Sequence, residues 1–394
     1  LKPPPPDIFI VVGDPSADLY AALLAREIRQ RLPEARWRGI GGPRLVEVGV
    51  EVLVDSSQWS RLGLFDALTA APFALRTYAR LKQLLRTERP ALFIAMDWGA
   101  VNMRFIKYCH QLNVPTLYYI PPRCWDAHAS VSEDLVRCAT KIATPFRWSE
   151  ERLRAAGADV TFVGHPVLDT TQAARGRAEV RCSLNVRADE TLIALLPGSR
   201  RLEIRYNLPV LLQAAQRIQA QRPRTRFALG LAASVPRGSV QRPLRQSPVE
   251  GMHVLQNQTF DLLRACDFAL VASGTATLEA ACLGAPMIVV YAAPWFFYAQ
   301  AAFVRRLPRV IGLPNLIAQE TIVPEIIGRH FTPPNVAAAT LQLLDNPKAI
   351  ATMRQRLREV RQTLGESGAT ARTADLVMEL IHRERPATIV PHPT

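Results

Sequence analysis

Ser273-Gly274-Thr275, Pro197-Gly198-Ser199-Arg200 and Asp97 are the residues whose types and positions best suit chemistry. The first group follows the apolar run Phe268-Ala269-Leu270-Val271 and opens a stretch with helical spacing, Ala276, Leu278, Glu279 and Cys282, which Gly284 and Pro286 stop before a second apolar run from Met287. Strand, small-residue turn, helix and strand make a βαβ unit, and its turn aims main-chain N–H groups beyond the strand's carboxyl end, an arrangement that suits a phosphate. An ordinary α/β packing turn explains the same spacing equally well. The second group ends another apolar run, Thr191 to Leu196, in a tight turn that carries a cation, Arg200. Asp97 directly follows Ala91-Leu92-Phe93-Ile94-Ala95-Met96, at the end of a strand where open α/β sheets bind ligands. A carboxylate there is either the N-cap of the segment after Gly99 or a functional group, with Asn102 on the first turn of that helix.

These groups need a scaffold, and the alternation of apolar runs predicts one. Ile8 to Val12 reads as a strand and Gly13-Asp14-Pro15-Ser16-Ala17-Asp18 as its exit turn, before an amphipathic helix from Leu19 to Arg31 that Ser16 or Asp18 caps. Trp37 to Ile40, Ala91 to Met96, Thr116 to Ile120, Lys141 to Thr144 and Val160 to Val163 follow as strands. Gly164-His165-Pro166 leads into thirty polar, Arg-rich residues and marks a boundary; His165 there either meets a ligand or makes linker hydrogen bonds. Beyond it the pattern repeats: strand 191 to 196, helix Ile204 to Arg222, strand Arg226 to Leu231, a loop holding Pro236, Gly238, Pro243 and Pro248, strand Met252 to Leu255, and the opening βαβ unit. Leu313-Pro314-Asn315-Leu316 and Val323-Pro324-Glu325 read as a turn-rich loop, followed by helices Asn335 to Leu344, Pro347 to Leu364 and Thr370 to Arg385. The expected organisation is an α/β protein with two Rossmann-like domains facing a cleft, the GT-B arrangement of sugar-nucleotide transferases. Residues 1–168 form the N-terminal acceptor domain, 169–365 the UDP-sugar domain, and 366–394 a C-terminal helix and tail that packs on the first domain or on a partner subunit.

Composition narrows the chemistry. The 394 residues exceed one ordinary core, and 48% hydrophobic with 21% charged residues describes a folded protein. No apolar run reaches the length of a spanning helix, and the start, Leu1-Lys2-Pro3-Pro4-Pro5-Pro6, reads as a trimmed or mis-started end without a signal core. Six scattered cysteines fit a reducing, cytoplasmic compartment, and neither they nor the seven histidines have ligand spacing, so no metal is expected. The net charge of +14, from five lysines and 43 arginines against 34 acids, draws the protein to phosphorylated or anionic partners, although a compositional habit accounts for it too. No basic block interleaves with aromatics, so nucleic acid is not an expected partner. Two apolar stretches beside basic residues, 62–75 and 294–307, have the makings of a membrane-surface patch, and core packing explains them nearly as well. With no Asp-x-Asp pair, a diphosphate would have to be held by Arg200 and main-chain N–H groups.

Taken in order, Gly13 to Asp18, Gly41-Gly42-Pro43-Arg44, Asp97 with Asn102, Phe162-Val163-Gly164-His165-Pro166, Leu195 to Arg200 with Glu203, Ser273 to Glu279, and Leu313-Pro314-Asn315-Leu316 resemble the lipid-A-disaccharide synthase family from about Val11 to about Leu380. The resemblance implies inverting transfer of diacylglucosamine from UDP-diacylglucosamine to diacylglucosamine 1-phosphate, giving a β-1,6 disaccharide and UDP, with no cofactor. It implies Asp97 as the base for the acceptor hydroxyl, Ser16 as the serine of the first loop, and Arg200, Ser273, Gly274, Thr275, Thr277, Glu279 and Asn315 on the UDP side. It also implies a cytoplasmic protein, peripheral on the inner face of an anionic membrane, and a homodimer formed by exchanged C-terminal segments. Asp14 and Ala17 replace the family's Glu and second Gly, and Tyr119 to His128 lacks a Trp-Arg pair, departures that bear on acceptor choice. Other readings are a UDP-sugar 2-epimerase or lipid-linked murein glycosyltransferase of the same fold, and a sugar-nucleotide-binding paralogue without turnover. The apolar stretches disfavour a soluble epimerase, and the intact Asp97 disfavours loss of catalysis.

Overall fold

A computed structural model describes residues 5–56, 64–292 and 310–383. It divides into two compact units, one from the described residues of 1–169 and 364–394, the other Thr170–Thr363. In the first unit a seven-stranded, all-parallel sheet has the order β3-β2-β1-β4-β5-β6-β7. Its strands are β1 (Asp7–Val12), β2 (Arg36–Gly41), β3 (Glu51–Asp55), β4 (Leu92–Met96), β5 (Thr116–Tyr119), β6 (Lys141–Thr144) and β7 (Val160–Phe162). Every residue of β4 and β5 is buried, as a sheet covered on both faces requires. The covering helices include α1 (Pro15–Arg31), α2 (Pro43–Glu47), α3 (Leu64–Glu88), α4 (Gly99–Gln111), α5 (Glu133–Cys138) and α6 (Arg147–Ala155), with a short α7 (Val167–Thr170).

The second unit repeats the plan with six parallel strands in the order β10-β9-β8-β11-β12-β13. Here β8 is Thr191–Leu196, β9 Thr225–Leu231, β10 His253–Gln256, β11 Phe268–Ala272, β12 Met287–Tyr291 and β13 Glu325–Ile327. Helices α8 (Arg177–Ser183), α9 (Arg201–Gln221), α10 (Gly238–Gln246), α11 (Thr259–Ala265), α12 (Thr275–Cys282), α13 (Leu313–Ala318), α14 (Pro333–Leu344) and α15 (Pro347–Thr363) complete it. The core of this unit is built from Leu195, Ile204, Leu208, Leu211, Phe227 and Phe268, with α14 closing it through Val336. The last helix, α16 (Ala369–Arg383), belongs to the first unit. Its buried face, Leu376, Val377, Leu380 and Ile381, joins that unit's interior, and Arg31 at the end of α1 pairs with Asp375.

Four local expectations need correction. The α1 helix starts at Pro15, four residues early, because proline's fixed φ suits the first helical turn; neither Ser16 nor Asp18 caps it. Residues 313–318 and 325–327 are a helix and a strand, not a turn-rich loop, since Pro314 sits in the first turn of α13 where its missing N–H costs nothing. The Pro243-containing loop is the helix α10, and Glu51–Asp55 is a strand that alternation did not reveal. The backbone of 64–75 is helical as part of α3, while its side chains, residues 57–63 and the whole of 294–307 lie outside the described residues. No helix among the described residues is long and apolar enough to cross a membrane.

Candidate active site

In each sheet the strand order reverses at one place, and there the exit loops of neighbouring strands diverge and leave a crevice where open α/β sheets bind ligands. The first sheet reverses between β1 and β4, which pair in register up to Val12↔Met96. Beyond those ends lie Gly13–Asp18 and Asp97. The second reverses between β8 and β11, paired up to Leu196↔Val271, and beyond them lie Pro197–Arg200 and Ser273–Thr275. Each of the two crevices therefore holds two of the groups singled out in the sequence.

Asp97 is not an N-cap. It and Trp98 both adopt left-handed backbone angles, φ 50° and 42°, uncommon for such residues, and Trp98 occupies the cap position of α4 without a side-chain cap. The turn is held by its own main chain: the Asp97 carbonyl accepts hydrogen bonds from Tyr118 Oη (2.8 Å) and Asn102 Nδ2 (2.9 Å). Asn102, fully buried, also donates to the carbonyls of Met96 (3.0 Å) and Val11 (3.2 Å), clamping the ends of β4 and β1 together. Gly13 is required because a Cβ there would stand 2.5 Å from the Trp98 ring. These contacts leave the Asp97 carboxyl half-buried at the crevice. Burial, reinforced by the negative charge of Asp14, pushes its pKa up to about 6, and a hydrogen bond from the Trp98 N–H only partly offsets this. Ser16 is half-buried on the first turn of α1, with its hydroxyl not spent on any hydrogen bond among the described residues.

A second carboxylate organises the same crevice from below. Asp18, 2% exposed, accepts hydrogen bonds from the N–H groups of Gly42 (2.7 Å) and Arg44 (2.9 Å), tying the β1 exit to the Gly41–Arg44 loop after β2. A Cβ on Gly42 would lie 2.6 Å from that carboxylate, so the loop approaches only because the residue is glycine. His165, expected either in a cleft or in a linker, is buried; its Nδ1 accepts from the Val167 N–H (3.1 Å), and burial drops its pKa to about 3, so it stays neutral.

In the second unit Glu203 shapes the Arg200 turn. Its carboxylate accepts from Ser199 N–H (2.9 Å) and Arg200 N–H (3.2 Å), and its oxygen stands 3.7 Å from the Arg200 guanidinium, which is 45% exposed. Gly198 has φ 116° with Glu203 directly beneath it, a position closed to a side chain. Asn207, 1% exposed, donates to the Pro197 carbonyl (2.8 Å) and accepts from Ala292 N–H (2.9 Å). Its signal in the sequence was a polar residue within the apolar stripe Ile204, Leu208, Leu211.

The Ser273 turn divides into groups that build and groups that face outward. Ser273 Oγ donates to the Ile311 carbonyl (3.1 Å), and Thr277 Oγ1 donates to Gly274 (2.7 Å) while accepting from Leu313 N–H (3.3 Å). Asn315, fully buried, donates to Val323 (2.8 Å) and Glu325 (2.7 Å) and accepts from Ile322 and Val323 N–H (2.8 and 2.9 Å). Glu325, which the sequence did not single out, also receives Ile311 N–H (2.8 Å) and Gly312 N–H (2.9 Å). Ser273 and Thr277 are thus spent on joining the α12 turn to the start of α13, and Asn315 on joining α13 to residues 322–325. Gly274, exposed, with φ 143° and open space on its Cβ side, and Thr275 present the main chain. Glu279, one turn further along α12, is half-buried and has no hydrogen-bond or ion-pair partner among the described residues, so burial pushes its pKa up to about 7.

A family model described as lipid-A-disaccharide synthetase matches residues 8–378. The chain belongs to the lipid-A-disaccharide synthase family. It is 34% identical over 379 residues to the lipid-A-disaccharide synthase of Geobacter sulfurreducens, covering 96% of this chain and 98% of that one. It is 33% identical over 380 residues to the enzyme of Geobacter metallireducens, at the same coverage. The fold is that of GT-B proteins: the calicheamicin glycosyltransferase CalG4 matches with a TM-score of 0.62 at 14% identity over 97% of this chain and 99% of that one. The UDP-GlcNAc 2-epimerase of Neisseria meningitidis bound to UDP-GlcNAc matches with 0.61 at 13%, over 95% and 100%. Membership of the synthase family makes the protein a glycosyltransferase.

Proposed function

We propose that the protein is a lipid-A-disaccharide synthase that moves diacylglucosamine from UDP-diacylglucosamine to the 6-hydroxyl of diacylglucosamine 1-phosphate, with inversion. The observation that carries the reading is Asp97, a carboxylate with a raised pKa at the strand-order reversal of the first sheet. The acceptor oxygen attacks the donor's anomeric carbon as the bond from that carbon to the diphosphate breaks, and the electron pair leaves on UDP. The hydroxyl proton goes to Asp97, whose pKa of about 6 leaves it mostly ionised at neutral pH yet more basic than an ordinary carboxylate. Arg200 and the main chain of Gly274 and Thr275 take up the charge on the departing diphosphate, a contribution on the order of 10²-fold or more in rate. Glu279, a carboxylate without a partner one turn into α12, accepts from the donor's ribose or uracil. Ser16 binds on the acceptor side, and Ser273, Thr277 and Asn315 act by holding the donor loop in shape.

The reading includes a peripheral position on an anionic membrane and a homodimer. Leu202 and Tyr206, 48% and 41% exposed on one face of α9, support the first: they stand among Arg201 and Arg205, with Arg205 lying 5.8 Å over the Tyr206 ring.

The test is UDP release from UDP-diacylglucosamine in the presence of diacylglucosamine 1-phosphate. Asp97→Asn is expected to lower kcat by about 10²-fold or more, the usual worth of a general base, with UDP affinity retained. Normal turnover by that variant would overturn the base assignment, and absence of acceptor-dependent release by the native protein would overturn the function.

A further inference from the structure

The first unit contains a cavity of about 420 Å³ that the transfer chemistry leaves unused, a volume within the range of small-molecule sites. It is lined by Gly99 and Ala100, the second and third residues beyond Asp97, and by Met103 of α4, Val131, Leu135 of α5 and Leu153 of α6. Pro121 and Pro122, from the segment after β5, close the remaining side. Gly99 is what allows that closure, since a Cβ there would lie 2.8 Å from the Pro122 ring.

Both guanidinium groups of the lining have partners, although Arg152 Nε and the Ser149 hydroxyl are buried without one among the described residues. Arg123 pairs with Asp126 (2.6 Å), and Arg152 donates through Nη1 to the Asp126 carbonyl (2.6 Å). No acidic side chain lines the space. Of its hydroxyls, Ser132 Oγ accepts the Leu135 N–H (3.3 Å) as the cap of α5. The wall is also fixed: Trp148 Nε1 holds the Cys124 carbonyl (2.9 Å), and turns within 121–129 close through Cys124 N–H to Pro121 and Ala129 N–H to Asp126 (both 3.2 Å). A pre-formed, largely apolar recess beginning beside the proposed base fits a hydrocarbon chain attached a few atoms from the hydroxyl that loses its proton.

We propose that this cavity receives one acyl chain of the acceptor and that Met103, Val131 and Leu153 set the chain length it accepts. Acyl occupancy rests on the synthase reading above. One side of the wall, Pro121, Pro122 and Arg123, comes from the segment where this chain departs from the family pattern. Each methylene admitted or excluded is worth about fourfold in kcat/KM, the equivalent of ~0.8 kcal/mol per buried CH₂.

The experiment compares kcat/KM for glucosamine 1-phosphate acceptors that differ only in acyl length, with one donor, for the native protein, Val131→Trp and Met103→Ala. Val131 and Met103 are both half-buried and pack against the edge of the core, so the Tm of each variant is measured alongside to separate a folding defect from a changed length profile. Val131→Trp should penalise the longest acceptor relative to the shortest by about tenfold or more, carried by KM, and Met103→Ala should move the optimum to longer chains. Length profiles that coincide for all three proteins, with transfer intact, would overturn the assignment while leaving the function standing. If no acceptor supports transfer, the function fails instead, and the cavity is judged by binding of a fluorescent N-acylglucosamine 1-phosphate. Binding lost in Val131→Trp then supports an acyl site; binding that persists, or competition by inorganic phosphate rather than by a fatty acyl amide, overturns it.

Discussion

At the scale of single residues, Asp97 and Glu279, both with raised pKa values, are places where the fold gives up stability for chemistry. Asp97 sits on a left-handed turn and is half-buried beside Asp14; Glu279 is half-buried with no partner among the described residues. In both, burial penalises the charged form, so the folded state holds a proton more tightly than the unfolded chain does. Below the unfolded value near 4 the carboxyl is neutral in both states and the penalty vanishes. As pH rises through the folded value, about 6 for Asp97 and about 7 for Glu279, stability falls and then levels off. Asp97→Asn and Glu279→Gln are therefore expected to raise Tm by a few degrees at pH 8 and to leave it unchanged at pH 4, a comparison for scanning calorimetry. The functional consequences differ: kcat/KM of the native protein should fall tenfold per pH unit below about 6, whereas Glu279→Gln should raise KM for the UDP-sugar and leave kcat nearly unchanged. A Tm gain at both pH values would mean that the benefit comes from packing, not from removing a buried charge.

At the scale of elements, most strands and the turns after β8 and β11 were legible because their apolar runs are short and uniform and those two turns carry Gly198 and Gly274, whereas β3 and β13 were not. Less legible was what the turn residues do. Ser273, Thr277 and Asn315 stand at the right places for a ligand, yet their partners, Ile311, Leu313 and Glu325, come from loop, helix and strand positions 38, 36 and 10 residues away, which no local spacing reports. Proline misled twice for one reason: Pro314 lies in the first turn of α13, and Pro243 is tolerated within α10, so a breaker in sequence did not break the helix. Asn102 was placed correctly on the first turn of α4, but its clamp on Val11 joins residues 91 apart. Glu325 makes the tertiary logic testable. Three donors converge on its two oxygens, and Glu325→Gln turns one acceptor into an NH₂ group facing an N–H. The expected cost is about 1–3 kcal/mol in urea denaturation, with KM for the donor raised as the Ser273 turn loosens; unchanged stability would mean the loop holds without this anchor.

At the scale of the whole molecule, the charge of +14 and the exposed pair Leu202 and Tyr206 are what the proposed membrane-surface position rests on. On the proposed function both substrates carry acyl chains, and the proposed membrane-surface position lets the protein take them from a bilayer. Arginines close to that surface attract anionic headgroups, worth about 1 kcal/mol each and fading within a Debye length of roughly 8 Å at physiological salt. Leu202 and Tyr206 add apolar insertion, which salt does not screen. The two contributions separate by ionic strength. Flotation with vesicles containing phosphatidylglycerol should bring the protein up at low salt and release most of it at 0.5 M, while neutral phosphatidylcholine vesicles should retain little at any salt. Leu202→Ser with Tyr206→Ser should lower the salt needed for release without altering turnover of detergent-dispersed substrates, because neither side chain takes part in the chemistry. Failure to bind anionic vesicles at low salt would remove the membrane-surface reading and leave substrate delivery to another route.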